Sequence, residues 1–491
     1  MTPQQLRNSI LQMAIEGKLT EQRAEDGNAS DLLKEIKAEK AKLIAEKKIK
    51  KEKSLPEISE NEIPFEIPDN WVWVRLGDIV SKLTDGSHNP PANSGSGYKV
   101  ISAMNIKKGK IVLDNVIRFT DEIGFEKENL RTQIKRGDII IGIIGGSIGN
   151  LAYYNHDEKV IAQRSIAIID SLIDNYYVGN TLLSPFIQGI MKKSSGTAQG
   201  GIYLGTLKSL LVPMPPLSEQ KRIVARLEEI LPQVNEYEKA YNELQELNKK
   251  FPDNLKNSLL QMAIEGKLVE QRAEDGNARD LLKEIQAEKA KLIAEKKIKK
   301  EKPLPEINED EIPFEIPDNW VWVRLRDIVY NGGQKRPTDR FCYIDIGSID
   351  NVHQVLNSKE NIIEAKEAPS RARKITHYGD VLYSTVRPYL HNMCIVDKEF
   401  TCEAIASTGF AVMTCVESCY NKYLFYYLLS PAFDLYANSN ENAKGVAYPA
   451  INDERLYKAV VPLPPLAEQK RIVAKLEQIL PLCDELSKEY K

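Results

Sequence analysis

After Ser218, apolar residues recur in alternating steps of four and three: Ile223, Leu227, Ile230, Val234, Tyr237, Tyr241 and Leu244. That alternation is the heptad seam of a coiled-coil helix. A second seam runs through Ile472, Leu476, Ile479, Cys483, Leu486 and Tyr490. Pro216 and Pro465 stand just before the two helices, where a missing N–H costs little. Pro232 and Pro481 fall inside them and predict a kink or a restart. The helix from Glu219 to Lys250 is expected to be about 48 Å long at about 1.5 Å per residue, and the two seams are expected to pair. Leu32, Ile36, Leu43 and Ile44, set among lysines, predict a further helix over Asp31–Lys53 with Asp31 as its N-cap, and a copy over Asp280–Lys302. The stretch LPEISENEIPFEIPDN, rich in proline and acid, reads as an extended linker.

Other segments alternate differently. GDIIIGII (137–144) and GDVLYSTV (379–386) are short β-branched runs opening on Gly-Asp. KVIAQRSIAIID and FTCEAIASTGFAVM read as strand pairs joined by small-residue turns. Aromatic-rich helical stretches follow, each carrying Leu-Ser-Pro, from Leu183 and Leu429. These two regions therefore predict α/β domains with β-rich cores.

The pattern is written twice. ILQMAIEGKLTEQRAEDGNA from Ile10 returns as LLQMAIEGKLVEQRAEDGNA from Leu259, and Trp71 returns as Trp320, 249 residues on. VPMPPLSEQKRIVARLEEILP from Val212 returns, again 249 on, as VPLPPLAEQKRIVAKLEQILP from Val461. The stretches between these blocks barely resemble each other. A period this long excludes a solenoid, whose units run roughly 20–50 residues, and suits domains. The expected organisation is a repeated helical segment and linker (1–70), a first variable domain (71–212), a central seam helix with the repeated segment and linker (213–319), a second variable domain (320–461) and a C-terminal seam helix (462–491). The second copy of the repeat lacks its continuation at the C-terminus, and that continuation stands at the N-terminus from Leu6. The repeat is thus circularly permuted, with pseudo-twofold symmetry expected.

Composition changes this picture little. The formal charge is −3, so the chain as a whole is not a basic nucleic-acid binder, and any DNA contact must come from local patches or a partner. The six cysteines all lie beyond residue 341. That argues against a disulfide framework and fits a reducing cytoplasm. Cys415 and Cys419, with Cys394 and Cys402, match no zinc spacing, and buried thiols are the expectation. The N-terminus has no signal segment and no window approaches about 18 apolar residues, so no membrane association is expected.

Catalytic motifs are nearly absent. The chain has no GxxxxGK[ST] and no HExxH. Asn89-Pro90-Pro91-Ala92 resembles the Asn-Pro-Pro-aromatic motif of adenine-N6 methyltransferases, but Ala92 cannot stack on a flipped base. Gly145-Gly-Ser-Ile-Gly149 is a weak match to a cofactor loop. No catalytic residue, metal site or bound cofactor is expected.

DNA contacts need Arg, Lys, Gln, Asn, Ser and Thr on loops. In the first variable domain the candidates are Lys82, Thr84, Asp85, Ser87 and His88 after the first strand, then Lys107, Lys108, Arg164, Lys192, Lys193 and Gln199. In the second they are Gln334, Lys335 and Arg336, then Ser384, Thr385, Arg387, Lys444 and Tyr448. The charge balance is permissive: 16 Lys/Arg against 12 Asp/Glu over 71–211, and 16 against 16 over 320–460. The run KKIKKEK could touch phosphates, although such runs are more often solvated helix ends.

Several motifs carry a resemblance. They are Trp71-Val-Trp-Val-Arg-Leu-Gly-Asp78 and its copy at Trp320, Thr84-Asp-Gly-Ser-His88, the 379–388 segment, and above all Val-Pro-(Met/Leu)-Pro-Pro-Leu-x-Glu-Gln-Lys-Arg-Ile-Val. With these the chain resembles, over its whole length, the specificity subunit of a type I restriction-modification system. The second domain has no Asp-Gly-Ser-His, so its reading loop cannot be mapped residue by residue. The resemblance implies two α/β target-recognition domains joined by two long antiparallel coiled-coil helices. Each domain would read half of a bipartite, asymmetric double-stranded DNA target, and the coiled coil would set the gap. Readers about 10 bp apart on one face of the duplex, with half-sites of about 3–5 bp, leave a gap of about 5–7 bp. It further implies docking to two methyltransferase subunits holding S-adenosylmethionine and two restriction subunits using ATP and Mg. The competing readings are a stand-alone adenine-N6 methyltransferase and a non-catalytic coiled-coil scaffold.

Overall fold

The computed structural model describes residues 1–194, 200–445 and 447–490. The chain divides into two compact units, Met1–Glu243 and Leu244–Lys491. Helix α1 (Pro3–Ile15) opens the first unit, and helix α2 (Leu217–Ile264) contributes its first part to it. The rest of α2 and helix α3 (Leu466–Glu489) belong to the second unit.

The two ends of the repeat differ in one local respect. Thr2 caps α1 in a capping box with Gln5, and Pro3 occupies the first turn. The equivalent of Thr2 is Phe251, which cannot cap, and there the helix runs on without a break. Helix α2 therefore reaches Ile264, well past Lys250. Neither Pro232 nor Pro481 ends its helix. Both are exposed, so the carbonyls they leave unpaired can face water.

Inside the first unit α1 lies antiparallel to the start of α2. The Met1 carbonyl accepts from Tyr237 Oη at 2.8 Å, Arg7 Nη2 donates to Asn235 Oδ1 at 2.6 Å, and Gln22 Nε2 donates to Glu219 Oε1 at 2.6 Å. Ile10, Leu11 and Ala14 share a core with Ile223, Leu227 and Val234. In the second unit the C-terminal part of α2 takes the role of α1: Lys256 Nζ bonds Asp484 Oδ1 at 2.6 Å, 249 residues after Arg7 and Asn235. Leu260 and Ala263 pack on Ile472 and Leu476. The buried part of each seam is thus covered within its own unit, by α1 in the first and by the C-terminal part of α2 in the second. Ile223, Leu227, Val234, Ile472, Leu476 and Cys483 are buried. Ile230, Tyr241, Ile479 and Leu486 are half-buried, while Tyr237, Leu244 and Tyr490 are exposed.

The opening and closing motifs of each domain pair with one another. Val72–Arg75 runs antiparallel to Leu211–Met214, with Trp73 opposite Pro213; Val321–Arg324 runs antiparallel to Val460–Leu463, with Trp322 opposite Pro462. Proline is tolerated because each ribbon has only two strands and so a free edge.

Within the ribbons both domains share a strand core. In the first, Ile139–Gly142 lies between Ile166–Ser171 and Leu151–Tyr153, and Val80–Asp85 joins the outer side of Ile166–Ser171. In the second, Val381–Ser384 lies between Phe410–Cys415 and Met393–Ile395, with Val329–Tyr330 outside. Successive side chains enter opposite cores, as a period of two requires: Ile139, Ile141 and Ile169 face one, Ile140, Ile166 and Ile168 the other. That is why these strands are apolar throughout. A second small sheet pairs Tyr98–Ile101 in parallel with Val160–Ala162, and Phe341–Ile344 in parallel with Ala404–Ser407.

The helices refine two expectations. Asn28, not Asp31, caps the helix Ala29–Ala45, accepting from Ser30 N at 2.8 Å, and Asn277 does the same for Ala278–Ala294. Both helices stop before KKIKKEK, with Lys47 and Lys296 in the left-handed region; the run opens as a turn bonded back to Leu43 and Leu292 and is neither helix nor strand from Lys50 and Lys299 on. Leu-Ser-Pro marks a helix break: Ser184 and Ser430 accept from Ile187 N and Phe433 N, each just ahead of a proline that opens the next helix. All six cysteines are free thiols. Among the described residues no helix is long and apolar enough to cross a membrane.

Candidate DNA interface

The closing motif carries a pin that holds each domain to its helix. Trp71 Nε1 donates to Glu219 Oε2 at 2.8 Å, and Trp320 Nε1 donates to Glu468 Oε2 at 2.9 Å. Both glutamates are fully buried, and burial raises both carboxyl pKa values. The adjacent Gln220 bridges Pro215 O and Asp174 N; Gln469 bridges Pro464 O and Tyr420 N. Arg222 grips Asp26 through two bonds, at 2.7 and 2.6 Å, and Arg471 pairs with Asp275. Glu-Gln-Lys-Arg is therefore frame in both copies.

On this frame the loops of the first domain converge at one end of the strands. Ser87 N donates to Ala162 O, and Arg164 N donates to Ser87 O. Ile143 N reaches Ser165 O, and Gly145 N reaches Gly200 O. This unites Asp85, Ser87, His88 and Arg164. Asp85 accepts from His88 Nε2 at 2.6 Å and from Arg131 Nη1 at 3.0 Å, while Arg131 Nη2 holds Gly86 O at 2.7 Å. Gly86 has no room for a side chain, since a Cβ there would lie 2.1 Å from Gln163 O. Asp85 thus organises the loop, and the exposed His88 and Arg164 face solvent from it.

Other candidates change role. Lys82 Nζ is tied to the buried Asp138 at 2.6 Å and to Gln133 O, which makes it a structural ion pair. Burial raises the Asp138 pKa despite that lysine. Ser87 is buried, and Thr84 is half-buried in its strand, with a weak contact to Asp85 O. Lys107 and Lys108 sit apart, at the far edge of the six-stranded sheet. There Lys107 pairs with Lys110 across a two-residue turn, with Lys108 and Gly109 at positive φ and all three lysines exposed. Lys192 and Lys193 end the helix Pro185–Ser194, and Gln199 lies outside the described residues.

In the second domain the same end is built differently. Thr385 N donates to Gly409 O, Thr408 N to Arg371 O, and Arg387 N to Pro449 O. Arg387 is held at φ 51°, at the position corresponding to Gly145, and its guanidinium lies 4.3 Å from the Tyr448 ring centre. Exposed Tyr389 and Tyr448 flank it. Ser384 and Thr385 drop out as contacts: both are buried, donating to Val386 O and Gly409 O. Gln334 bridges Lys374 on the neighbouring strand, Lys335 pairs with Glu403 at 2.5 Å, and Arg336 is exposed. Lys444 donates to Asn440 O.

The two methyltransferase-like motifs are structural. Pro90 and Pro91 carbonyls accept from Arg118, and a Cβ on Gly149 would lie 2.3 Å from Gln188.

The model of the type I restriction modification DNA specificity domain matches residues 68–249 and again 317–491. The chain belongs to this family. Each matched stretch of this specificity protein holds one variable domain and its pinned seam helix. The specificity subunit of the type I restriction enzyme EcoAI of Escherichia coli is 29% identical, over 98% of this chain and 89% of that protein. The EcoEI specificity subunit of the same organism is 28% identical over the same shares. A solved HsdS subunit from Thermoanaerobacter tengcongensis aligns with a TM-score of 0.45 at 22% identity, over 88% of this chain and 94% of that one.

Within the two specificity domains, sequence reasoning passed over Arg131, Arg371, Arg373, Tyr203 and Tyr389. Arg131 gives no local signal, because it reaches the loop from the end of the helix Glu122–Thr132. Arg371-x-Arg373 did give one: two arginines bracket the start of the strand Ala372–Ile375, and neither is buried. Tyr203 is 82% exposed beside the converging loops, where solvent exposure of an aromatic is the telling feature.

Proposed function

We propose that this chain is the DNA-reading, non-catalytic member of its complex, and that its two domains read different halves of one bipartite target. The observation that carries this is the contrast between identical pins and unlike tips. Trp71–Glu219 and Trp320–Glu468 repeat bond for bond. Gly145 and Arg387, by contrast, occupy one backbone position with opposite chemistry. In the first domain His88 and Arg164 face the bases or phosphates; in the second Arg387, Tyr389 and Tyr448 do so. An Arg fork donates well to guanine O6 and N7, and exposed aromatics can wedge between base steps.

Methylation and cleavage then belong to partners. The duplicated frame offers two equivalent surfaces, which suits two methyltransferase subunits carrying S-adenosylmethionine. Restriction subunits with ATP and Mg complete the complex, in the cytoplasm.

Adenine-methylation mapping in cells with and without this chain, beside its methyltransferase, tests the reading. A two-part asymmetric motif is expected only when the chain is present. Methylation that persists without it, or S-adenosylmethionine binding to the isolated chain by calorimetry, would contradict it.

A further inference from the structure

The duplicated lysine run has no role in the frame or the tips. In the second unit Lys296, Lys299, Lys300 and Lys302 line a cavity of about 690 Å³ together with Arg326 and Gln334. In the first unit Lys50 and Lys53 line a cavity of about 290 Å³ with Lys40 and Lys208.

The run is fastened. Its single glutamate is neutralised: Glu301 pairs with Arg326 at 3.1 Å, and Glu52 with Lys208 at 2.5 Å. Arg326 also holds the Lys302 carbonyl. Lys289 reaches under it to the Arg326 and Val329 carbonyls, and burial lowers that lysine's pKa. Lys299, Lys300 and Lys302 are exposed. Among the described residues none of the three has an ion-pair partner. Holding like charges side by side costs free energy that an anion would recover.

We infer that this run is a phosphate cradle that grips the DNA backbone beside each half-site. The inference rests on the DNA-reading proposal. Two observations choose duplex phosphate over an acidic protein. First, Gln334, a DNA-contact candidate of the second domain, lines the same cavity as the lysines, next to the candidates Lys335 and Arg336 in sequence, so a duplex on that loop passes the lysines. Second, the run is the same in both copies while the tips differ. An identical surface beside two different half-sites suits a contact that does not read sequence, as phosphates offer, and the exposed, unpaired lysines match phosphate charge.

The test is K299Q/K300Q/K302Q in the full chain with its methyltransferase. Duplex affinity is measured over a salt series, on the methylated motif's sequence and on a scrambled one. Each lost phosphate contact should lower the salt slope by about 0.9, so a drop of about 2–3 is expected, equal on both duplexes and with their affinity ratio unchanged. An unchanged slope overturns the cradle. So does weakened methyltransferase binding at an unchanged slope, which would assign the run to a protein partner. If the wild type prefers no duplex, the reading proposal fails, and a lowered slope on the scrambled duplex still upholds the cradle.

Discussion

Glu219→Ala is expected to lower the melting temperature of the full chain's first unit by roughly 5–10 °C, with Glu468→Ala doing the same to the second. The carboxylate is fully buried and holds Trp71 Nε1 and Gln22 Nε2. Truncation strands a buried indole N–H and leaves a cavity, together about 2–4 kcal/mol, and about 2–4 °C accompanies each kcal/mol in a unit of this size. Glu219→Gln keeps the volume and an acceptor for Trp71, so its loss should be small. The comparison with Gln also carries a pH signature. Burial raises the Glu219 pKa above its ordinary value, so the folded state binds this proton more tightly than the unfolded chain. The stability it contributes is fully present below the ordinary carboxyl pKa and is lost as pH rises through the raised one. Calorimetry of wild type and E219Q from about pH 4.5 to 7 should show wild type gaining on the variant as pH falls. A constant difference would refute the buried-carboxylate account.

Arg387→Ala is expected to weaken recognition of one half of the target and leave the other intact. A bidentate Arg contact to a base is worth about 1–3 kcal/mol of discrimination, a loss of roughly 5- to 150-fold in selectivity at that position. Folding should survive, because Arg and Ala bear the same left-handed backbone strain at φ 51°. Removing the guanidinium also frees the Tyr448 ring it covers, so Tyr448→Ala separates the two contributions. Methylation mapping checks this. Equal degradation of both halves would show a structural role, and an unaltered motif would remove Arg387 from the reading surface.

The frame was legible because it is written twice. The two seams, the Trp-Val-Trp-Val-Arg and Pro-Pro-Leu-x-Glu-Gln blocks and the fixed offset of 249 placed the repeated helices and the motifs that open and close each domain, though not the short turn Glu60–Glu62 and its copy Glu309–Glu311, which fall in the stretch read as an extended linker. Their partners were harder to read. Opening and closing motifs pair across about 140 residues of chain, from Val72 to Met214, and pattern along a chain does not encode contact across it. The seam was legible, while its cover by α1 within the first unit was not, because α1 shows too few turns for a heptad to declare itself. At the tips, residue type misled where burial decided. Lys82, Ser384 and Thr385 have DNA-reading chemistry, yet a buried Asp138 and backbone carbonyls occupy them. Arg164 and Arg387 do lie in turns at strand ends, as their context in the sequence indicated. Inside the domains the strands repeat at a different offset. Tyr98–Ile101 returns as Phe341–Ile344 after 243 residues rather than 249. The six extra residues of the first domain fall in the loop carrying Gly86 and His88, where the two readers diverge.

The central claim is that the frame is neutral to sequence and each domain reads alone. The direct measurement is the methylation motif of a chain in which residues 71–212 also replace 320–461. The pins and ribbon registers match at both junctions, so the graft should fold. The account predicts a motif made of two inverted copies of one half-site, with the unread gap preserved. Retention of the original asymmetric motif, or a motif in which both halves are new, would contradict it.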